Sequence, residues 1–209
     1  MKEIITVSGS ASAEYEEKRS QFICVLCHVE SAEEATEIIN RIKKENYEAR
    51  HNCWAYLLKD GSKRFSDDGE PQGTAGLPML DVLEKSGITD VVAVVTRYFG
   101  GILLGAGGLV RAYSKAVSMA VNEAQLCRML PCSIFTLRCT YSDLTGVKRL
   151  IEASKGDING IQYDDAVTLT VSMPKEEVEA FSDKLTEFSA GRLEIKITGE
   201  EPRPIPVER

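Results

Sequence analysis

Residues Val94 to Tyr113 read VVTRYFGGILLGAGGLVRAY. The run Val91 to Thr96 (VVAVVT) that leads in is short and continuously apolar, the pattern of a strand buried on both faces. A helical pattern follows from about Leu109 to Glu123. Between them lie Gly100, Gly101, Gly105, Gly107 and Gly108. So many glycines cost backbone entropy, and they make sense where the chain turns sharply or approaches something closely. A helix beginning near Leu109 aims its unpaired amides, and the positive end of its dipole, into that loop, with Arg97 at the entrance and Arg111 in the first turn. This outlines an anion site. No lysine followed by Ser or Thr closes it as a Walker A loop, and the G-x-G-x-x-G spacing of a dinucleotide site is absent. The same glycines also suit a tight strand-to-helix joint with no ligand.

Upstream, Ser20 to Val29 (SQFICVLCHV) reads as a strand, and Ser31 with Glu34 forms a capping box for a helix whose apolar face is Ala35, Ile38, Ile39 and Ile42. Cys53 to Leu58 and Lys63 to Phe65 flank Asp60-Gly61, a hairpin signal. A further helix is expected over Pro78 to Ser86. In the polar loop Ser66 to Gly76 (SDDGEPQGTAG), Asp67, Asp68 and Glu70 could hold magnesium or supply a general base. Equally, such acids bond their own backbone or neutralise Arg97 and Arg111. On the strand from His51, period two puts His51, Cys53 and Ala55 on one face and Asn52, Trp54 and Tyr56 on the other, with one face expected in the core. His51 with Cys53 could begin a metal site or a nucleophile and base pair. Cys24-Val25-Leu26-Cys27-His28 spells a haem-attachment motif. In a strand, however, an offset of three sends the two sulfurs to opposite faces. A metal centre of Cys24, Cys27, His28, His51 and Cys53 is the remaining alternative.

Downstream of a break at Leu130-Pro131 the order is strand (Ser133 to Cys139), helix (Asp143 to Ala153), strand (Ile158 to Tyr163), strand (Val167 to Met173), helix (Lys175 to Phe188), strand (Leu193 to Thr198). This βαββαβ order is ferredoxin-like, and local chemistry agrees: Asp164-Asp165 turns the central hairpin, Gly156 and Gly191 follow the helices, and Pro174 opens the second. The proline-rich end Glu201 to Arg209 reads as a frayed tail or docking segment.

The 209 residues suit two modest domains, and 43% hydrophobic with 27% charged content excludes disordered, collagen-like and low-complexity architectures. Net charge is 25 − 32 = −7. Residues 1–132 carry 15 basic and 18 acidic groups and residues 133–209 carry 10 and 14, so a polyanion must be met locally rather than by overall charge. No apolar run approaches the ~18 residues of a membrane span, and MKEIITVSGSASAEYEEKR lacks the apolar block of a signal peptide. A cytoplasmic protein with six free thiols is the expectation.

HNCWAY (His51 to Tyr56), SDDGEPQGTAG (Ser66 to Gly76) and VVTRYFGGILLGAGGLVRAYSKAV (Val94 to Val117), preceded by KRSQFI (Lys18 to Ile23), resemble in order and spacing the signature blocks of the YigZ/IMPACT family. The resemblance implies an α+β protein of two domains. The first, residues 1–131, takes the fold of the second domain of the fifth small-subunit ribosomal protein, a mixed sheet packed on helices. The second, residues 132–200, is ferredoxin-like and similar to domain V of elongation factor G; residues 201–209 form a flexible tail. It also implies a link to translational control, known for eukaryotic members. In the family's pattern a basic residue commonly stands where this chain has Gln21, and another where it has Leu103, which lessens the positive charge beside the loop.

From these readings the expected function is a non-catalytic binding protein of the translation apparatus, with RNA, the ribosome or a translation-regulatory protein as partner and no membrane. Its anion or nucleic-acid face is Arg97, Gly100, Gly101, Gly105, Gly107, Gly108 and Arg111, supported by His51, Asn52, Asp67, Asp68, Glu70, Thr74 and Tyr98. No cofactor is expected, with magnesium at Asp67, Asp68 and Glu70 as the exception to test. Two alternatives stand beside it: a magnesium-dependent enzyme acting on a phosphorylated small molecule or nucleotide, and a protein-interaction module that binds no anion.

Overall fold

The computed structural model describes residues 4–207. It divides into two compact units: one holds the chain up to Arg128 and the segment from Pro204 on, the other Met129–Arg203.

In the first unit a five-stranded sheet has the order β2-β3-β6-β4-β5, formed by β2 (Ser10–Glu17), β3 (Ser20–His28), β4 (His51–Leu57), β5 (Lys63–Ser66) and β6 (Val91–Tyr98). The four pairings are all antiparallel, where the resemblance implied a mixed sheet. Strand β6 sits at the centre and is buried from Val91 to Arg97, as its unbroken apolar run demands. On one face α2 (Gly76–Lys85) and α3 (Ala106–Glu123) cover Phe22, Cys24, Cys53, Ala93 and Val95. On the other, α1 (Ala32–Glu45) covers Cys27, Tyr56, Val92 and Val94 through Ala35, Ile39 and Ile42. Both faces are therefore core, not one. Cys24 and Cys27 fall into the two different clusters, which removes the haem-type pairing. The amide of Glu34 donates to Ser31 Oγ at 3.2 Å, the expected cap of α1.

A short strand β1 (Ile5–Val7) pairs with the start of β7 (Leu126–Cys139), at Leu126 to Arg128. Neither β1 nor β2 is apparent in the sequence pattern. The expected break at Leu130-Pro131 is also absent: β7 runs through Pro131, which falls between the Leu126–Arg128 stretch paired with β1 and the Cys132–Cys139 stretch paired with the next strand. A residue without an amide hydrogen is tolerated where that ladder is interrupted.

The second unit follows the βαββαβ order: β7, α4 (Leu144–Ala153), β8 (Asp157–Tyr163), β9 (Val167–Pro174), α5 (Val178–Ser189) after a 3-10 turn at Lys175–Glu177, and β10 (Ile195–Pro206). Strand β9 lies between β7 and β8, and β10 also pairs with β7. Phe135, Leu137, Leu169 and Val171 pack against Val147 and Ile151 of α4 and Phe181 and Leu185 of α5. The expected free tail is corrected by β10, which extends through Pro206, and Val207 donates its amide to Leu126 at 3.0 Å. Glu208 and Arg209 of that tail lie outside the described residues. No helix among the described residues is long and apolar enough to cross a membrane.

Candidate functional site

Antiparallel register lines up Phe22 of β3, Arg97 of β6 and His51 of β4 in one row across the sheet. Period two turns this row toward the α2 and α3 side. Arg97 is only 6% exposed. Its Nη1 donates to Glu70 Oε1 at 2.6 Å, and the same oxygen accepts from the Tyr113 hydroxyl of α3 at 2.8 Å. The Arg97 guanidinium also lies over the rings of Phe22 and Phe99, at 5.5 and 5.6 Å from their centroids. Its Nε is buried with no hydrogen-bond partner. A buried donor left unpaired costs free energy.

His51 Nδ1 lies 2.9 Å from the carbonyl of Asp68, and since a carbonyl only accepts, Nδ1 is the donor of that bond. Its Nε2 faces Glu70 Oε2 at 4.0 Å. Cys53 Sγ lies 2.9 Å from the Asp67 carbonyl and 3.4 Å from the Tyr113 hydroxyl. Burial pushes the Cys53 thiol up to about 12, against a smaller downward pull from the Tyr113 hydrogen bond. Burial likewise pushes the Tyr113 phenol above its ordinary range, so it serves as a neutral donor to Glu70. A protonated thiol is a poor nucleophile.

The helix α3 begins at Ala106, three residues before the position its apolar pattern suggests, so Gly107 and Gly108 belong to its first turn rather than to the loop. Gly105 is its N-cap, at φ 69°, and no side chain caps it. The first amides of α3 therefore lack intrahelical acceptors. Gly105 and Ala106 at this end line a cavity of about 380 Å³ together with Arg50, His51, Glu70, Arg97, Phe99 and Leu103.

The structure does not gather all the residues that the sequence suggested. Arg111 and Gly108 line a separate cavity of about 310 Å³ with Tyr15, Glu17 and Lys115. Gly100 packs against the backbone of Arg19, and Gly101 adopts φ 85° with open space around it. Asn52 and Tyr98 point to the α1 side, where Asn52 Oδ1 accepts from Thr96 at 2.7 Å and the Tyr98 hydroxyl donates to Asn46 at 3.1 Å. Thr74 closes its own turn by donating to the Pro71 carbonyl at 2.6 Å.

The three acids also diverge. Asp67 accepts from the amides of Gly73, Ala75 and Gly76 at 2.8, 3.0 and 2.8 Å and so caps α2 from outside the helix. Asp68 binds Lys43 at 2.6 Å and the Asn52 amide at 2.8 Å. Glu70 belongs to Arg97. No three His, Cys, Asp or Glu side chains among the described residues are grouped to hold a metal ion, which applies equally to the Cys24, Cys27, His28, His51 and Cys53 set.

Sequence reading missed Arg50, Phe99 and Tyr113. The last had a signal: a tyrosine four residues from Leu109 on the buried stripe of a helix needs a partner for its hydroxyl.

The Impact N-terminal domain family matches residues 18–121, and a domain of unknown function, DUF1949, matches residues 137–192. An IMPACT family member, YigZ of Escherichia coli, is 43% identical over 182 residues, covering 85% of this chain and 89% of its own. YvyE of Bacillus subtilis, also an IMPACT family member, is 40% identical over 91% of this chain and 89% of its own. A Dictyostelium discoideum protein IMPACT homolog is 41% identical over 95 residues, 43% of this chain and 27% of its own. A crystal structure of a hypothetical protein superposes with a TM-score of 0.61 at 39% identity, covering 96% of this chain and 100% of that one.

Proposed function

The chain belongs to the IMPACT family, and from that premise we propose that it is a non-catalytic binding protein of the translation apparatus that contacts RNA at the cavity between Arg97 and the amino end of α3. The observation that carries the reading is the cavity that Arg97, the exposed Arg50 and the uncapped start of α3 line together. Backbone amides at a helix start bind phosphate without needing net positive charge, which suits a chain of net charge −7. Arg50 stands exposed on the same cavity, and Arg111 and Lys115 are exposed on the neighbouring one. These side chains supply the local cations that phosphate contacts require. The resemblance of the sequence blocks to a family with eukaryotic members in translational control supplies the setting.

Absence of catalysis is supported by the chemistry of the groups present. The one thiol in the cluster, Cys53, is held protonated at neutral pH, and Asp67 and Asp68 are committed to internal partners. The test is co-sedimentation with ribosomes and binding of structured RNA over a range of salt. Arg50→Ala and Arg111→Ala are each expected to weaken binding and to lower the salt slope by roughly 1. Co-sedimentation equal to that of an inert acidic protein of the same size overturns the reading.

A further inference from the structure

We propose that the Arg97 cavity takes a single unpaired nucleotide, its base laid against Phe99 and its phosphate at the amino end of α3, so that the protein prefers single-stranded RNA to a closed duplex. The inference rests on the RNA reading above and adds the form in which RNA is recognised.

Three features of the cavity lead to it. Phe22 and Phe99 both carry the Arg97 guanidinium, but Phe22 is fully buried while Phe99 is 45% exposed and has Leu103, 82% exposed, beside it in the lining. Such a ring offers a stacking surface that a base of any identity can use. The cavity floor is two-signed. Arg97 and Glu70 both line it, a cation and a carboxylate paired at 2.6 Å, with His51 Nε2 4.0 Å from Glu70 Oε2. A bare phosphate matches the cation but is repelled by the carboxylate. A base edge carries donors and acceptors side by side and can match both.

The third feature is the separate place for the phosphate, at the uncapped start of α3 beside the exposed Arg50. A cavity of about 380 Å³ has room for one nucleotide, whereas a duplex keeps its bases stacked and their edges paired.

The experiment compares the full chain's affinity for a labelled single-stranded RNA and for a blunt duplex with the same number of phosphates, at several salt concentrations. The single strand is expected to bind more tightly. Phe99→Ala should lower its affinity roughly tenfold, leaving the duplex affinity and both salt slopes unchanged, and Phe99→Trp should restore it. Phe99 is exposed, and an unchanged thermal midpoint confirms that each variant folds. Equal affinity for the two RNAs, or an equal loss for both in Phe99→Ala, overturns the nucleotide pocket while RNA binding stands. Binding to neither RNA removes the RNA reading and this inference with it.

Discussion

A Cβ at Gly100 would stand 2.0 Å from the carbonyl carbon of Arg19 and 2.5 Å from the nitrogen of Ser20. The Gly100 amide completes the contact by donating to Ser20 Oγ at 3.1 Å. The Lys18-Arg19 turn between β2 and β3 takes positive φ at both residues, 49° and 64°, and is held against the glycine loop there. Gly100 is thus required by backbone packing, independent of any ligand. Gly100→Ala is expected to cost about 3 kcal/mol, because the obstructing atoms are main chain and cannot rotate away. Gly107 is the contrast: its backbone is helical, and an added Cβ meets only the tip of Arg111, at 3.7 Å. Gly107→Ala should be neutral or stabilising by about 0.5 kcal/mol. Urea denaturation of the two variants measures both, and equal destabilisation would contradict the assignment.

The Arg97–Glu70 pair is buried on both sides, so removing one partner strands the other. Glu70→Ala should cost about 3–5 kcal/mol, whereas the double variant Arg97→Met with Glu70→Leu should recover most of that loss. A double-mutant cycle in denaturant reads the coupling directly. Additive losses would show that the 2.6 Å contact contributes little.

The parts of the fold that the sequence announces are those with local punctuation. Gly156 and Gly191 each donate an amide back to the helix they follow, to Ile151 and Thr186, both at 2.9 Å, and the βαββαβ order is readable because such signals recur at each joint. Strand β2 (SASAEYEE) has no such markers, and its small and charged residues give no apolar alternation. The part of β10 beyond the expected strand end at Thr198 is hidden by its prolines, which usually argue against a strand, yet burial alternates there from Gly199 to Pro206.

At the site, the polarity of each candidate was legible and its direction was not. Arg97 reads as a cation at a loop entrance, but register with Phe22 and His51 turns it inward, and the acid that neutralises it sits 27 residues away. Asn52 and Tyr98 belong to the same blocks as His51 and Arg97. Being one residue out of phase, they serve the opposite face of the sheet.

The buried thiols predict an alkaline weakness. The Cys53 thiol ionises near its ordinary value of about 9 when the chain is unfolded and near 12 when folded. The unfolded state therefore binds fewer protons between those values. This contribution to stability is complete below pH ~9 and is lost as pH rises toward ~12. Burial raises the Cys24 thiol in the same direction. Denaturation midpoints should fall between pH 8 and pH 10.5, with Cys53→Ser flattening the fall, and a thiol reagent at pH 8 should label the native chain only at the rate of unfolding. Immediate labelling of Cys53 in the native state would contradict its burial.

Asp67 separates a structural acid from a metal ligand. Its Oδ1 accepts the amides of Ala75 and Gly76 while Oδ2 accepts that of Gly73, so Asp67→Ala strands three donors at the start of α2 and should cost about 3 kcal/mol. Asp67→Asn can keep the two bonds to Oδ1 but sets an amide donor against the Gly73 N–H, and about half that loss is expected. Because Asp67, Asp68 and Glu70 are each held by a different partner, freeing them to converge on a cation would break the α2 cap, the Lys43 contact and the Arg97 pair together. Millimolar magnesium should therefore leave the thermal midpoint of the wild type where it is, with or without nucleotides and sugar phosphates. A rise specific to magnesium that disappears in Asp67→Asn would mean that the acids do rearrange around the ion, and would favour the enzymatic reading over RNA binding.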